Sequence, residues 1–391
     1  MRVVFLVPSY PSSGNQVGGI FHKFQAEALR RLHVELEVIA PCPWVPPFLS
    51  RMTKKMGCYA ACPRLELVNG IPVHRPRYFA TPRQLAWGFP HLALSLALRG
   101  CTVNRPDLIH AHFAYPEGLV ATRLAHRWGA PVVLSLHGSD VHTLPLANSW
   151  SRRRFCTAVS SVSEAIAVSE YLSDAAQQLC GRRPIVIPNG INLDRFAALP
   201  TQREARMCLA LPMDIPVVLF VGSLVKAKGI LDLLAALGAV QSQRSVCGVF
   251  VGAGPEANAI RSAPFAIMAG SVANDLIPVY MAAADLLVLP SHAEGLGIVL
   301  VEAGAAGLPV IGTRVGGMPE LLAEDRGLLV SPRAPQELEA AILDTILNPL
   351  MAKARAGRLQ RYVVEQHDVN MSARRLLAIY RQALGEGPAF N

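Results

Sequence analysis

The sequence has little charge, few aromatic residues and no long apolar run. Of its 391 residues, 17% are charged, 6% are aromatic and 51% are hydrophobic, which is enough apolar material for two domains with separate cores. The longest stretch without Lys, Arg, Asp or Glu is 3–22, but it is interrupted by Pro8, Pro11 and the polar run 12–16; the next, 84–98, has 15 residues that include Pro90 and His91. A membrane-spanning helix needs roughly 18–20 apolar residues, so a transmembrane protein is excluded. Gly and Pro are at ordinary levels, which excludes collagen-like and low-complexity chains.

Patterns that bind metal are also missing. The eight cysteines are scattered, and the closest pair, Cys58 and Cys62, has no second pair nearby to complete a zinc site. We expect the cysteines to be reduced, small core residues. No two aspartates are separated by one residue, so the Asp-x-Asp pair that holds Mg²⁺ or Mn²⁺ on a nucleotide is absent. The sequence therefore predicts no metal and no other cofactor.

Further absences narrow the possible chemistry and the expected location of the protein. His110 and His112 alternate on a predicted strand, but no carboxylate or cysteine at ligand spacing accompanies them, which favours a structural role over a metal site. The chain has no Walker loop and no Gly-x-Ser-x-Gly elbow. The first predicted strand begins at Arg2 with no signal-peptide pattern before it, so we expect a cytoplasmic protein.

The charge that is present is unevenly placed. Residues 1–195 contain 21 Lys and Arg against 11 Asp and Glu, a balance of +10. Residues 196–391 contain 16 against 17, a balance of −1. A basic first half and a neutral second half indicate that the two halves bind different partners.

Continuous apolar strands alternate with helical patterns in both halves, which predicts two α/β domains, each a doubly wound parallel sheet. The predicted strands are 2–7, 34–40, 107–112, 131–136, 165–168 and 185–187, then 216–221, 246–251, 265–269, 285–289, 309–311 and 327–330. The predicted helices include 20–32, 117–128, 230–240, 297–306 and 335–347. The boundary is expected within 188–211, and the tail 350–384 is expected to be helical without strands.

Ligands of parallel sheets bind beyond the carboxyl ends of the strands, so the loops there are the candidate sites. Gly18 and Gly19 follow the first strand and precede a helix, where paired glycines leave amides for an anion, although a plain turn explains them equally well. His137 ends the fourth strand and is followed by Gly138. Its position favours a role in a cleft over the alternative, a loop histidine beside a helix capped by Asp140.

Two glycine-containing loops in the second half carry weaker signals. The loop that begins at Gly222 and Ser223 continues through Lys226 and Lys228 to the start of a helix. A lysine there is repelled by the positive end of the helix dipole, unless an anion lies between the lysine and the helix. Two solvated surface lysines are the alternative. A lone Gly-x-Gly at 252–254 is explained by a tight turn as well as by a nucleotide.

The strongest local pattern is Glu294-Gly295-Leu296-Gly297, which opens a helix containing Glu302. The glycine turn at a helix N-terminus can hold a diphosphate through its N–H groups. Glu302 lies in an apolar stretch, where a buried carboxylate needs a partner. We expect ribose hydroxyls to be that partner.

Together these residues resemble glycosyltransferase family 4, which has the GT-B fold. The matches span nearly the whole chain and, in this order and spacing, are specific. They are 17–29 (VGGIFHKFQAEAL), 106–118 (PDLIHAHFAYPEG), 137–140 (HGSD), 187–196 (IPNGINLDRF), 221–229 (VGSLVKAKG), 284–291 (ADLLVLPS), 294–302 (EGLGIVLVE) and 307–320 (GLPVIGTRVGGMPE). The front of the chain is most similar to bacterial enzymes of teichuronic-acid and exopolysaccharide assembly.

The resemblance implies two Rossmann-like domains facing across a cleft. Residues 1–188 would bind the acceptor, 189–367 the nucleotide sugar, and 368–391 would form a helix packing back on the first domain. It implies a metal-free, retaining transfer from a nucleotide diphosphate sugar, with UDP favoured, to a carbohydrate or polyprenyl-linked acceptor. The implied catalytic residues are His137, Lys228 and Glu294. The implied donor-binding residues are Gly18, Gly19, Gly222, Ser223, Lys228, Met268, Gly270, Ser271, Val272, Glu294, Gly295, Leu296, Gly297, Ile298, Val299 and Glu302.

The chain departs from the family at two positions. Ser223 stands where the family often has Arg, so the diphosphate loses a cation that Lys226 or an Arg of the first domain would replace. Leu296 stands where Phe is common, which we expect to change only packing.

A second partner is suggested by the segment 42–63, which we expect to be irregular and which contains apolar residues beside cations, a combination that suits an anionic membrane surface. An acceptor-site loop or a solvated face is an equal alternative. The residues are Trp44, Phe48, Leu49, Arg51, Lys54 and Lys55, with Arg152, Arg153 and Arg154 as possible additions.

No nucleic-acid module is recognisable. Three rival functions remain: a sugar-nucleotide epimerase of the same two-domain plan, a nicotinamide dehydrogenase, and a sugar-binding protein without turnover.

Overall fold

The computed structural model describes residues 1–13, 15, 18–80 and 89–386. The chain forms two compact units. The first comprises Met1–Gly190 and Val369–Asn391, and the second comprises Ile191–Asp368. Among the described residues, none of the helices combines the length and apolarity needed to cross a bilayer.

The first unit is built on an eight-stranded sheet. Its strands lie in the order β10-β9-β8-β7-β1-β2-β5-β4, and all neighbours are parallel except β4 and β5. A separate parallel pair is formed by β3 and β6. The strands are β1 (Arg2–Leu6), β2 (Glu35–Ile39), β3 (Cys42–Pro43), β4 (Leu65–Val68), β5 (Ile71–His74), β6 (Arg77–Tyr78), β7 (Leu108–His112), β8 (Val132–Leu136), β9 (Glu164–Ala167) and β10 (Ile185–Val186).

Helices surround this sheet, and the last helix of the chain belongs to the same core. Buried side chains of that helix, including Leu376 and Tyr380, pack with Phe5 of β1 and with Ala26 and Leu29 of the first helix. The described helices are α1 (Ile20–Arg31), α2 (Lys54–Ala61), α3 (Pro90–Leu98), α4 (Leu119–Trp128), α5 (Ser139–His142), α6 (Leu144–Ala147), α7 (Ser149–Ser160), α8 (Glu170–Cys180) and α17 (Val369–Ala383).

The second unit has a six-stranded, wholly parallel sheet in the order β13-β12-β11-β14-β15-β16. Its strands are β11 (Val217–Val221), β12 (Cys247–Val251), β13 (Ala266–Gly270), β14 (Leu286–Leu289), β15 (Val310–Thr313) and β16 (Leu328–Val330). Its helices are α9 (Gln202–Cys208), α10 (Ile230–Gln241), α11 (Ala257–Arg261), α12 (Ile277–Ala283), α13 (Ile298–Ala305), α14 (Met318–Leu322), α15 (Pro335–Leu347) and α16 (Pro349–Gln366).

All twelve predicted strands are present, with ends shifted by one or two residues.

The segment 42–63 was wrongly expected to be irregular. It contains β3, a short 3₁₀ turn and α2, whose first turn is capped by Thr53 accepting a hydrogen bond from the Met56 amide at 3.2 Å. The β4–β5 hairpin was also missed, although Asn69-Gly70 is a strong signal for it. Both residues adopt the positive φ that such a turn requires.

Candidate functional site

In the second unit, the structure brings Lys228 and Glu294 into direct contact. Lys228 lies in a 3₁₀ turn, Lys226–Lys228, between β11 and α10, and Glu294 lies in the loop after β14. The Nζ atom of Lys228 donates to Oε2 of Glu294 in a charge-assisted hydrogen bond. Both side chains are partly buried, whereas Lys226 on the same turn is exposed. The structure therefore brings together two of the residues that the family resemblance implies are catalytic.

The loops that carry this pair are locked together by close backbone contacts. A Cβ on Gly229 would lie 2.0 Å from the Pro290 carbonyl oxygen, and a Cβ on Gly316 would lie 2.0 Å from that of Glu294. Both glycines also have positive φ, so no other residue fits without moving the backbone. The Gly317 amide donates to the Gly295 carbonyl at 2.7 Å. The loops after β11, β14 and β15 therefore form one structural piece.

The glycine turn continues directly into α13. Gly297 is the N-cap residue with φ of 77°, and no side chain caps the first turn. Leu296 and Val299 are buried, and Ile298 is partly exposed. The turn 295–298 thus places the positive end of a helix beside the Lys228–Glu294 pair, an arrangement suited to an anion.

Glu302 has a protein partner, Arg195, that was not predicted from the sequence. Arg195 donates from Nη1 to Glu302 Oε1 at 3.1 Å and from Nη2 to the Asn274 carbonyl at 2.5 Å. Burial raises the pKa of Glu302, and the adjacent Arg195 guanidinium opposes that rise. Arg195 lies in the motif 187–196 but was given no role, because a sequence cannot show which cation reaches a buried carboxylate.

The remaining predicted donor-binding residues line neighbouring strand ends. The Gly222 amide donates to the Val251 carbonyl at 3.0 Å, and the Gly252 amide donates to the Gly270 carbonyl at 2.8 Å. The ends of β11, β12 and β13 therefore lie side by side. Around them Ser223 and Ser271 are exposed, and Gly222, Met268, Gly270 and Val272 are partly buried.

A further side-chain contact in this unit was missed. His292 Nε2 lies 2.6 Å from Asp232 Oδ2, and the His292 amide donates to the Ala227 carbonyl at 2.9 Å. These bonds connect the loop after β14 to the turn that carries Lys228. His292 and Asp232 are 60 residues apart, so no local pattern could have linked them.

In the first unit, His137 follows β8 in a loop that Asp140 fixes. Asp140 is buried, and its Oδ1 accepts from the amides of His137 and Gly138 at 3.1 and 2.9 Å. Its Oδ2 accepts from the Ala114 amide at 3.0 Å, which ties the loop after β8 to the loop after β7. Asp140 therefore positions the backbone of His137.

His137 is one of four clustered histidines. Its Nε2 lies 2.9 Å from His112 Nδ1, and His22 packs against both rings. His110 adjoins His112 and hydrogen-bonds Tyr380 and Ser135 at 2.6 and 2.8 Å. Burial lowers the pKa of His110 and His137 to about 3 and lowers the pKa of His22 and His112 as well. The cluster is therefore neutral at physiological pH.

Gly18 and Gly19 shape the turn that delivers His22 to this cluster. Gly19 has φ of 73°, and a Cβ there would lie 2.2 Å from the Ser9 carbonyl oxygen. The Gly18 amide donates to Asn15 Oδ1 at 3.1 Å. Val17, the preceding residue of the motif, lies outside the described residues. The paired glycines thus lie in the same unit as His137, and Phe21 contacts the His137 ring.

Nitrogen atoms of His22, His112 and His137 lie within 4.8 Å of one another, close enough for a metal ion to be considered. Tetrahedral zinc requires the lone pairs of its ligands to converge on one point. Here His112 Nδ1 and His137 Nε2 instead face each other across a hydrogen bond. This geometry favours a hydrogen-bonded cluster, and it gives His112 a contact with His137 that the sequence did not predict.

Comparisons with known proteins first identify the class. The structure is similar to sucrose-phosphate synthase from Thermosynechococcus elongatus, with a TM-score of 0.80, 22% identity and coverage of 98% of this chain and 100% of that one. It is similar to Anabaena HepE in complex with UDP-glucose, with a TM-score of 0.72, 21% identity and the same coverages. The fold is GT-B, as predicted, and the protein is a glycosyltransferase enzyme.

Sequence comparisons then identify the family. Residues 25–195 match the family described as Glycosyltransferase Family 4, and residues 215–348 match Glycosyl transferases group 1. The chain is 37% identical over 380 residues to the putative teichuronic acid biosynthesis glycosyltransferase TuaC of Bacillus subtilis, covering 96% of this chain and 97% of that protein. It is 30% identical over 287 residues to the D-inositol 3-phosphate glycosyltransferase of Streptomyces avermitilis, covering 64% and 60%. The chain belongs to glycosyltransferase family 4.

Proposed function

We propose that this protein transfers a sugar from a UDP-sugar to a carbohydrate or lipid-linked acceptor, with retention and without a metal ion, in the assembly of a cell-surface polysaccharide. The observation that carries this proposal is the contact between Lys228 and Glu294 beside the uncapped N-terminus of α13. A cation and a helix N-terminus together suit a diphosphate, and the adjacent carboxylate suits the hydroxyls of a sugar attached to it.

The reaction needs stabilisation of the leaving nucleoside diphosphate, on which negative charge develops. Lys228 and the amides of 295–298 supply positive charge and N–H donors for it. Removal of one such donor typically costs about 3–4 kcal/mol in the transition state. Because the chain has no Asp-x-Asp pair, these groups would replace the metal ion that such a pair would hold.

Glu294 and Glu302 are better suited to binding than to nucleophilic attack. Lys228 engages Glu294, and Arg195 engages Glu302, so each carboxylate is oriented by a cation. Glu294 would accept hydrogen bonds from the donor sugar, and Glu302 would do so from the ribose while remaining held by Arg195. The base would lie along residues 268–272. The acceptor would attack the face that the diphosphate leaves, and the leaving phosphate would take its proton.

His137 would face the donor sugar from the first unit. Its Nδ1 is buried from solvent and has no hydrogen-bond partner in the protein, which is unusual for a buried polar atom and consistent with a ligand group completing it. Because the pKa of His137 is lowered to about 3, the ring would meet the sugar as a neutral hydrogen-bonding group rather than as a cation.

The relatives support the donor and the pathway. TuaC is described as an enzyme of teichuronic acid biosynthesis, and it aligns with this chain over nearly its whole length. HepE has been crystallised with UDP, with UDP-glucose and with UDP plus glucose. A UDP-sugar and a polysaccharide acceptor are therefore our first choices for the substrates.

A membrane surface is proposed as the second partner. Trp44, Phe48 and Met52 expose 50%, 79% and 67% of their surfaces within a segment that also exposes Arg51. Arg152 and Arg153 are exposed, whereas the Arg154 guanidinium lies 3.1 Å from the centre of the Trp150 ring. Apolar anchors beside cations favour anionic lipid, and a lipid-linked acceptor would be reached there.

The test is a donor screen with and without acceptor. Purified protein is incubated with UDP-, GDP- and ADP-sugars, and released nucleotide and sugar products are measured. The proposal expects UDP release that depends on added oligosaccharide or lipid-linked acceptor and yields a product with the anomeric configuration of the donor. Acceptor-independent conversion would instead indicate an epimerase, and tight binding without turnover would indicate a binding protein.

A further inference from the structure

His137 is held edge to edge by a second imidazole. Its Nε2 is 2.9 Å from His112 Nδ1, the two rings are within 17° of coplanar, and their centroids are 5.2 Å apart. That centroid separation is nearly the largest that a 2.9 Å contact between ring nitrogens permits. The two nitrogens and the two ring centres are therefore almost collinear, which is the geometry of a straight N–H···N hydrogen bond.

His112 is fixed more firmly than His137. It lies at the end of β7 with no exposed surface, and the rings of Phe5, His22 and His110 surround it at centroid distances of 5.1, 4.6 and 4.1 Å. His22 is itself anchored, because its Nδ1 lies 3.0 Å from the Ser9 carbonyl oxygen. A ring packed in this way holds its partner in one orientation.

The hydrogen bond also decides where the proton of His137 lies. A neutral imidazole carries one N–H, so one ring donates across the contact and the other accepts. Each ring then has a second nitrogen without a protein partner, Nε2 in His112 and Nδ1 in His137. An unpaired N–H is the costlier group to bury. It belongs on His137, which is partly exposed, rather than on His112, which has no exposed surface.

We propose that His112 is a positioning residue for the transfer reaction, donating from Nδ1 to His137 Nε2 so that His137 presents an Nδ1–H donor to an oxygen of the donor substrate. The inference rests on the proposed function, in which His137 faces the donor sugar. It assigns to His112 the tautomer and orientation of His137, and it identifies the ligand atom as a hydrogen-bond acceptor, a sugar hydroxyl or phosphate oxygen.

The first test needs no substrate. In the full-length protein with ¹⁵N-labelled histidine, long-range ¹H–¹⁵N spectra should show His137 protonated at Nδ1 and bare at Nε2, with a single tautomer from pH 6 to 8. In His112→Leu the two tautomers of His137 should both be populated. His112→Asn, whose side-chain amide can donate from a similar position, should restore the Nδ1–H form.

A matched control is His91→Leu. His91 is another buried histidine of the same unit, bonded to the Tyr115 hydroxyl at 2.9 Å, outside the cluster. Its loss should leave the His137 signals unchanged. An Nε2-protonated His137 in the unaltered protein would overturn the inference. So would a stoichiometric metal ion that is retained on purification and lost in His22→Ala, because the nitrogens would then be ligands.

The second test measures turnover. His112→Leu should lower kcat at least tenfold with a smaller change in KM for the donor, and His112→Asn should recover most of the loss. Equal losses in His112→Leu, His112→Asn and His91→Leu would show a merely structural role and overturn the proposal. His137→Ala separates this inference from the proposed function. If that variant retained full turnover while the spectra were as expected, the tautomer assignment would stand. The role of His137 in the proposed function would then be wrong, and so would the role of His112 that depends on it.

Discussion

The two units carry candidate sites of opposite electrostatic character. In the second unit the site consists of ion pairs, Lys228 with Glu294 and Arg195 with Glu302. In the first unit it consists of imidazoles whose pKa values burial lowers, so they are neutral at physiological pH. Charged groups suit the diphosphate and ribose, whereas neutral donors suit the uncharged hydroxyls of a sugar. The comparison suggests that charge stabilisation and sugar recognition are assigned to different halves of the chain.

The comparison is tested most strongly at Lys228. Lys228→Ala should lower kcat by roughly 10²–10³-fold, because the cation that we propose stabilises the leaving diphosphate is lost. Turnover is measured by UDP release at saturating donor. Lys353→Ala removes an exposed lysine of the same unit and should have no effect. Near-normal turnover of a folded Lys228→Ala protein would refute the assignment of charge stabilisation to this unit.

The second ion pair should matter mainly for stability. Arg195→Ala leaves Glu302 buried without its cation, and breaking a buried pair in this way typically costs about 3–5 kcal/mol. Urea unfolding should show this loss, and Arg195→Ala combined with Glu302→Gln should recover part of it. A loss below about 1 kcal/mol in the single variant would mean that the pair is not a fixed part of the site.

The neutrality of the first unit predicts a dependence of stability on pH. His110 has a pKa near 3 when folded and about 6.5 when unfolded, so the unfolded chain binds more protons between these values. The stabilising contribution of neutral His110 is therefore fully present above pH 6.5, and it is lost as the pH falls from about 6.5 to about 3. His110→Asn should reduce the slope of unfolding free energy between pH 4 and 6 by about 1.4 kcal/mol per unit. An unchanged slope in His110→Asn would contradict this prediction.

The smallest effect concerns the surplus positive charge of the first half. Arg152→Ala and Arg153→Ala should each weaken binding to anionic vesicles by about 1 kcal/mol at low salt. Binding is measured by sedimentation with the vesicles. Arg203→Ala, at an exposed position in the second unit, should change nothing. Failure of the unaltered protein to sediment with such vesicles would remove the membrane surface from its partners.

The sequence predicted the charged site better than the neutral one, for a physical reason. Glu294, the glycine turn and Glu302 are consecutive on one loop and helix, so their spacing alone indicates their chemistry. The imidazole cluster is assembled from α1, β7 and the loop after β8, with His22, His112 and His137 far apart in the chain. His112 was therefore recognised only as a strand residue, and Arg195 only as part of a motif.

The same limit applies to the fold. Apolar runs identified every strand that is buried among parallel neighbours, because burial on both faces leaves a continuous signal. The short strands β3 and β6 and both strands of the β4–β5 hairpin were not found, since strands of two or four residues carry little apolar pattern. The glycine contacts at Gly229 and Gly316 were equally invisible, because the backbone atoms that they approach belong to other loops.

The position of α17 has a consequence for how the chain folds as it is made. A ribosome completes Ile191–Asp368 before it adds the final helix, so the second unit can fold while the first still lacks the side chains of Leu376 and Tyr380 in its core. The earlier-made half therefore remains incompletely packed until residues 369–383 have been synthesised. Neither truncation near residue 368 nor expression of residues 1–190 alone should give a stable product, whereas 1–190 joined to 369–386 by a short linker should.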